Sequence, residues 1–198
     1  MELLSKSFSE EQLKKLRGYF EGIKFCYPKP ESCVMPLLYA AQELLGFVSK
    51  EAIQEVSRLI GMSEAHVLEI ATFYTMFRLK PVGRYHIQIC RTASCFFCGG
   101  WELIDIVQKI VNKPQMVPSD DGLFSWELVE CLGSCGTAPA ILINDRLFEN
   151  LSPSKLLTLL EDIKLTLPDL SFSVFTNSFG GQFNKYPFSQ LLRRDPSV

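Results

Sequence analysis

Cysteine is the residue type in this chain best suited to chemistry, and five of its seven cysteines fall in two short stretches. The first, ICRTASCFFCGG, holds Cys90, Cys95 and Cys98, and the second, ECLGSCGTAP, holds Cys131 and Cys135. Thiolates are nucleophiles and soft metal ligands. An odd cysteine count without a secretion signal argues against a disulfide framework. The opening MELLSKSFSEEQLKKL carries acidic residues where a signal or transit peptide is basic and acid-poor, so the chain reads as intracellular. Metal ligation or redox chemistry is the expectation. The other two thiols, Cys26 and Cys33 in CYPKPESC, read as free thiols packed as small hydrophobes.

Three metal centres compete for the two cysteine loops. Structural zinc usually shows two tight pairs of the C-x2-C kind, whereas Cys90 and Cys95 have four residues between them and Cys131 and Cys135 have three. A Rieske centre needs two histidines, and His86 is the only one near a cysteine loop. A [2Fe–2S] cluster needs four thiolates and accepts wider loops. Local spacing leaves two ligand sets open for it. Cys90, Cys95 and Cys98 fit C-x4-C-x2-C with one distant cysteine, while Cys90, Cys95, Cys131 and Cys135 use both loops as pairs. The plant-type spacing leaves one of Cys131 and Cys135 without a role and gives no reason for the paired loop. In CLGSCGTAP, Gly133, Gly136 and Pro139 favour a tight turn whose backbone N–H groups face sulfur.

The elements that must position these loops come in three parts. Residues 1–79 read as a helical bundle. Ser7 or Ser9 caps the first helix, the second has Pro36 early and Gly46 just past its end, the third runs from Ser49 to Gly61, and the fourth starts at Ser63. That last helix carries Val67, Ile70, Phe73, Tyr74 and Phe77 on an apolar stripe, read as core with a partner surface as second reading, and His66 takes an ordinary surface or packing role. Residues 80–168 are α+β or α/β in character. GRYHIQIC alternates as a half-buried strand does, and GWELIDIVQKIVNK reads as a helix. GLFSWELVEC and AILIND read as strands, with a hairpin at INDRLF, and SPSKLLTLLEDIK as a helix capped by Ser152 or Ser154. Each cysteine pair follows a strand, so strand ends in one sheet can bring the loops together although residues 96–130 separate them. Residues 169–198, rich in Ser, Asn, Gly and Phe without a clear period, read as an extension to which the sequence assigns no structure.

Composition narrows the partners. Twenty basic against twenty-two acidic residues give a net charge of −2, which argues against nucleic acid. No apolar run approaches the roughly 20 residues that span a bilayer, so no direct membrane insertion is expected. There is neither a G-x-G-x-x-G fingerprint nor a phosphate-binding glycine loop.

The stretches from PLLYAAQELLG through ATFYTMF and the PVG turn to YHIQICRTASC, and then VECLGSCGTAPAILIND, resemble the thioredoxin-like [2Fe–2S] subunit family of respiratory complex I. These are ferredoxins of NADH:quinone oxidoreductase, and the resemblance covers residues 8–165. It implies an N-terminal helical bundle, a thioredoxin-like domain and one [2Fe–2S] cluster with ligands Cys90, Cys95, Cys131 and Cys135. It implies an electron-transfer subunit with no catalytic residues and no independent catalysis, working beside a flavoprotein subunit that binds NADH and FMN and beside further iron–sulfur subunits. The position implied is cytoplasmic, peripheral on the inner membrane through the complex. Similar subunits serve NAD-linked hydrogenases and formate dehydrogenases. Cys98 departs from the pattern as an extra thiol, expected at or near the start of the helix ending in VNK.

Overall fold

Helix-end chemistry organises the first part of the chain. In the computed structural model, which describes residues 3–176 and the backbone of 178–179, α1 (Glu10–Ile23) begins at Ser9. The Ser9 hydroxyl accepts from the Gln12 N–H at 3.2 Å, and Gln12 Oε1 accepts from the Ser9 N–H at 2.9 Å, a reciprocal capping box that selects Ser9 over Ser7. The next two helices, α2 (Val34–Leu45) and α3 (Lys50–Ile60), stop at Gly46 and Gly61, whose φ values of 86° and 74° suit a residue without Cβ. Capped by Ser63, α4 (Glu64–Phe73) follows. Leu16, Phe20, Leu37, Leu38, Val56 and Val67 fill the core of this unit.

The apolar stripe expected along α4 does not hold. Tyr74 leaves helical geometry (φ −87°, ψ 114°), so the 3.6-residue period ends there and Phe73 stays 76% exposed. Phe77, past the break, turns inward and packs its ring 5.1 Å from Tyr39. His66 is exposed.

The unit that reaches to Pro81 also takes in Ser173 to Thr176. Glu43 accepts from the Ser173 hydroxyl at 2.6 Å and from the Val174 N–H at 2.9 Å. Phe175 meets Tyr19 edge-on at 5.4 Å, with the Lys15 ammonium 4.2 Å from its ring. The start of the C-terminal extension is therefore a packed strap; beyond it, apart from the backbone of 178–179, the extension lies outside the described residues.

A second unit covers Val82–Phe172. Its order is β1 (Tyr85–Cys90), the single turn α5 (Ala93–Cys95), α6 (Trp101–Val111), β2 (Phe124–Val129), β3 (Ile141–Ile143), β4 (Arg146–Phe148) and α7 (Pro153–Thr166). The sheet order is β2-β1-β3-β4, with β1 parallel to β2 and the other neighbours antiparallel. Parallel pairing of consecutive strands needs a crossover, which α6 supplies. Ile87, Ile89, Leu103, Val107, Ile141, Leu156 and Ile163 pack in the core. Ser152, not Ser154, caps α7 by accepting from the Lys155 N–H at 3.3 Å.

β1 departs from the half-buried strand that its alternation predicts. Tyr85, His86, Ile87, Ile89 and Cys90 are all buried, so side chains on both faces of β1 are covered. The period-two pattern marks the core face, and the other face buries polar groups. Among the described residues no helix is long and apolar enough to cross a membrane.

Ser49 is fully buried at the start of α3, donating to the Lys6 carbonyl at 2.8 Å and accepting from the Ala52 N–H at 3.2 Å. Ser49→Ala is expected to cost about 1–2 kcal/mol in urea unfolding. Nearby, the Ser5 hydroxyl and the Lys6 N–H hold the Glu51 carboxyl down to about 2. A folded-state pKa below the unfolded value of 4.5 gives stability that is present above pH 4.5 and lost as pH falls toward 2. Glu51→Gln should therefore lower stability at neutral pH and flatten the acid limb of a stability–pH curve between those values. An unchanged limb would refute the assignment.

Candidate metal centre

Strand pairing delivers the two cysteine loops to one edge of the sheet. Cys90 is the last residue of β1 and lies opposite Val129, the last residue of β2, in parallel register. Glu130 and Cys131 follow at once. Both chains leave the sheet in the same direction, which is the consequence of parallel pairing that a sequence can suggest but not fix.

The first loop folds back immediately. Thr92 starts α5, and Cys95 ends that turn, buried like Cys90. A tight stretch, Phe96–Gly100, then leads into α6. Gly100 is packed so closely that a Cβ there would lie 2.6 Å from the Cys95 carbonyl oxygen. The second loop is tied at its far end. Thr137 hydrogen-bonds Glu149 through its hydroxyl, its carbonyl accepts from the Asn150 N–H at 2.8 Å, and Gly133 turns with φ 78°.

The sulfurs stand in two linked pairs. Cys131 and Cys135 Sγ are 3.8 Å apart. Burial pushes the Cys95 thiol up to about 11, and the neighbouring Cys90 and Cys135 sulfurs push the same way. Burial also opposes charge on Cys90, but the Thr92 hydroxyl 3.2 Å away, the Thr92 and Leu132 N–H groups and Cys95 outweigh it and lower its pKa. Negative charge in this pair thus settles on Cys90. Cys95 hydrogen-bonds with Cys90 and feels the charge of Cys135.

Four thiols on two neighbouring loops are the soft donors that an iron–sulfur centre takes. A lone zinc ion draws four sulfurs onto one point at about 2.3 Å. Among the described residues no three His, Cys, Asp or Glu side chains are grouped closely enough to hold a metal ion. Two sulfur pairs, each on its own loop, suit the division of four thiolates between two irons. Backbone N–H groups already point at sulfur, from Leu132 and Thr92 to Cys90, from Ala140 to Cys95, and from Gly133 to Cys131 at 3.4 Å. Such donors stabilise the thiolate form that a metal requires.

His86, the one nearby imidazole, is fully buried and engaged elsewhere, with Nδ1 2.8 Å from Ser125 Oγ and Nε2 3.0 Å from Glu127 Oε1. Cys98 is exposed, and it precedes α6 rather than lying inside it, because Cys98 (ψ 18°) and Gly99 (φ 94°) break the helical path. Sequence reasoning misses Phe96, Phe97 and Trp101, which stand exposed beside the first loop, Phe97 by 85%. The signal is the run FFCGGW itself, too aromatic for a solvated turn.

Residues 20–164 match the family model described as thioredoxin-like [2Fe–2S] ferredoxin. One NADH-quinone oxidoreductase subunit of Rhizobium meliloti is 41% identical over 76% of this chain and 52% of its own length. A second such subunit of the same organism is 34% identical over 75% of this chain and 89% of its own length. The chain thus spans about half of the first relative and most of the second. An NAD+-reducing [NiFe]-hydrogenase in its H2-reduced state shares the fold, with a TM-score of 0.62 at 20% identity over 75% of this chain and 25% of that one. The chain belongs to the thioredoxin-like [2Fe–2S] ferredoxin family, and its cofactor is a [2Fe–2S] cluster.

Proposed function

We propose that the chain is an electron-transfer subunit of an NADH:quinone oxidoreductase, with its cluster held by Cys90, Cys95, Cys131 and Cys135. The observation that supports this reading is the delivery of both cysteine loops to one end of the sheet, with Cys131 and Cys135 Sγ 3.8 Å apart and Cys95 within electrostatic reach of Cys90 and Cys135. The partner is a flavoprotein subunit that binds NADH and FMN, alongside further iron–sulfur subunits. The assembly lies peripherally on the cytoplasmic face of a membrane. The names of the relatives and the lack of any nucleotide-binding glycine motif in this chain support that division of labour.

The cluster supplies a one-electron site when bound. The protein's part is to hold it and to set its electrostatics. N–H groups of Leu132, Gly133 and Ala140 directed at the sulfurs favour added negative charge and so raise the potential, while burial of Cys90 and Cys95 opposes it. Nothing in this arrangement supplies a general acid, base or nucleophile for a substrate. The activity belongs to the complex.

Anaerobically purified protein should hold about two irons per chain. Cys90→Ser, Cys95→Ser, Cys131→Ser and Cys135→Ser should each lose most of the iron and the visible absorption, because a serine oxygen is a poor ligand for this soft site. Cys98→Ala should keep both. If Cys98→Ala loses the iron while Cys131→Ser or Cys135→Ser keeps it, the ligands follow the C-x4-C-x2-C spacing instead.

Gly100→Ala should reduce iron occupancy with its circular dichroism intact, since the new methyl displaces the turn that carries Cys95. Gly18→Ala, where a Cβ meets open space, is the control expected to bind normally.

The host is tested by tagging the chain in its own cell. Recovery of an FMN-containing partner with NADH:quinone activity is expected, and the separated chain should oxidise no NADH. Recovery with a nickel-containing or formate-oxidising partner would assign it to a hydrogenase or a formate dehydrogenase.

A further inference from the structure

Thr92 holds the place from which a helix is capped, yet its hydroxyl does not cap. It stands at the start of α5 in extended geometry (φ −74°, ψ 163°), and its carbonyl accepts from the Phe96 N–H at 2.9 Å. A threonine in that place ordinarily turns its oxygen onto an N–H of the first turn. No such bond forms, and Thr92 Oγ1 instead lies 3.2 Å from Cys90 Sγ. Either atom can donate while Cys90 is a thiol. A thiolate has no proton to give, so once Cys90 holds metal the hydroxyl is the donor.

We propose, on the reading that Cys90 is a cluster ligand, that the Thr92 hydroxyl is a potential-setting group: it donates to Cys90 Sγ and favours the state that carries one more electron. That electron adds negative charge to the ligand sulfurs, so a donor aimed at one of them is worth more after reduction than before. Cys90 is buried, where a hydrogen bond to a charged atom is stronger than in water. Burial opposes charge on Cys90, and the Thr92 hydroxyl is the largest of the groups that outweigh it. The Thr92 and Leu132 N–H groups also reach this sulfur, but they are main-chain donors. Only the hydroxyl depends on which residue occupies position 92. Thr92 acts through Cys90 and binds no substrate. Its role is separable from folding, because removing the hydroxyl costs α5 no capping bond and leaves the Thr92 N–H and carbonyl in place.

The test is a redox titration of the anaerobically purified, cluster-loaded chain, followed by the EPR signal of the reduced cluster. Thr92→Val has nearly the shape of threonine without its hydroxyl. It should keep about two irons per chain and titrate at lower potential, by up to roughly tenfold in the one-electron equilibrium, or about 59 mV. Thr92→Ala should shift the same way, and Thr92→Ser should restore the wild-type value. Hyperfine spectra of the reduced cluster in H2O and D2O give a second readout. An exchangeable proton present in the wild type and in Thr92→Ser should be missing from Thr92→Val and Thr92→Ala. Wild-type potential in iron-loaded Thr92→Val or Thr92→Ala would overturn the proposal and leave the ligand set intact. So would loss of iron from both while Thr92→Ser stays loaded, since the hydroxyl would then serve retention of the cluster and not its potential. A Cys90→Ser chain with wild-type iron and potential would instead overturn Cys90 as a ligand, and the proposal with it.

Discussion

The parallel pairing of β1 with β2 is the constraint on which the metal centre depends. Two strands that run the same way must end at the same edge, so Cys90 and Val129 finish side by side. No tight turn can join parallel neighbours, and the crossover through α6 is what that geometry costs in chain length. The long interval between the cysteine pairs is therefore a requirement of the fold. It lets two short loops, each tight enough to aim its own sulfurs, meet at a point that no local motif specifies.

Once the loops meet, the difficulty is charge. Cys90 and Cys95 are buried, and neighbouring sulfurs resist ionising together. The protein answers with directed N–H groups, not with a cationic side chain, since Arg91, next to Cys90 in the chain, is exposed and spends its guanidinium on Glu130. Fixed backbone dipoles stabilise a thiolate without neutralising it. Burial pushes the Cys95 thiol up to about 11, so a metal held there would have to displace its proton, and its binding would couple to pH.

Much of this is legible in the sequence where a single residue decides a local outcome. Ser9, Ser49, Ser63 and Ser152 all cap helices, and Gly46 and Gly61 end them, because caps act within one turn and answer to no distant contact. Sequence fails as a guide where tertiary context overrides periodicity. The strand Tyr85–Cys90 alternates like a half-exposed strand, yet side chains on both of its faces are buried, since its polar face is covered as well. The stripe on α4 breaks at Tyr74 because the helix stops one residue before it. Cys26 and Cys33 look equivalent in sequence, and only the two turns between which the chain bends put one in the core and the other at the surface.

The buried polar face of the sheet defends its register, since a one-residue slip of β1 against β2 would move Cys90 to the opposite face. His86 lies opposite Ser125, and Gln88 opposite Glu127. His86 Nδ1 meets Ser125 Oγ, His86 Nε2 and Gln88 Nε2 both meet Glu127 Oε1, and Ser125 Oγ accepts from the Gly83 N–H at 2.9 Å. Asn144 at the β3–β4 turn accepts from the His86 N–H at 2.9 Å and so ties the third strand to the same point. Every buried side-chain polar atom among the described residues has a hydrogen-bond partner. A slip would strand several of these groups at once, at roughly 1–3 kcal/mol for each one left unsatisfied. An apolar face tolerates small displacements, whereas a ladder of specific donors and acceptors does not. The histidine that a sequence search weighs as a metal ligand thus serves the metal centre from four residues away, by fixing where the strand ends.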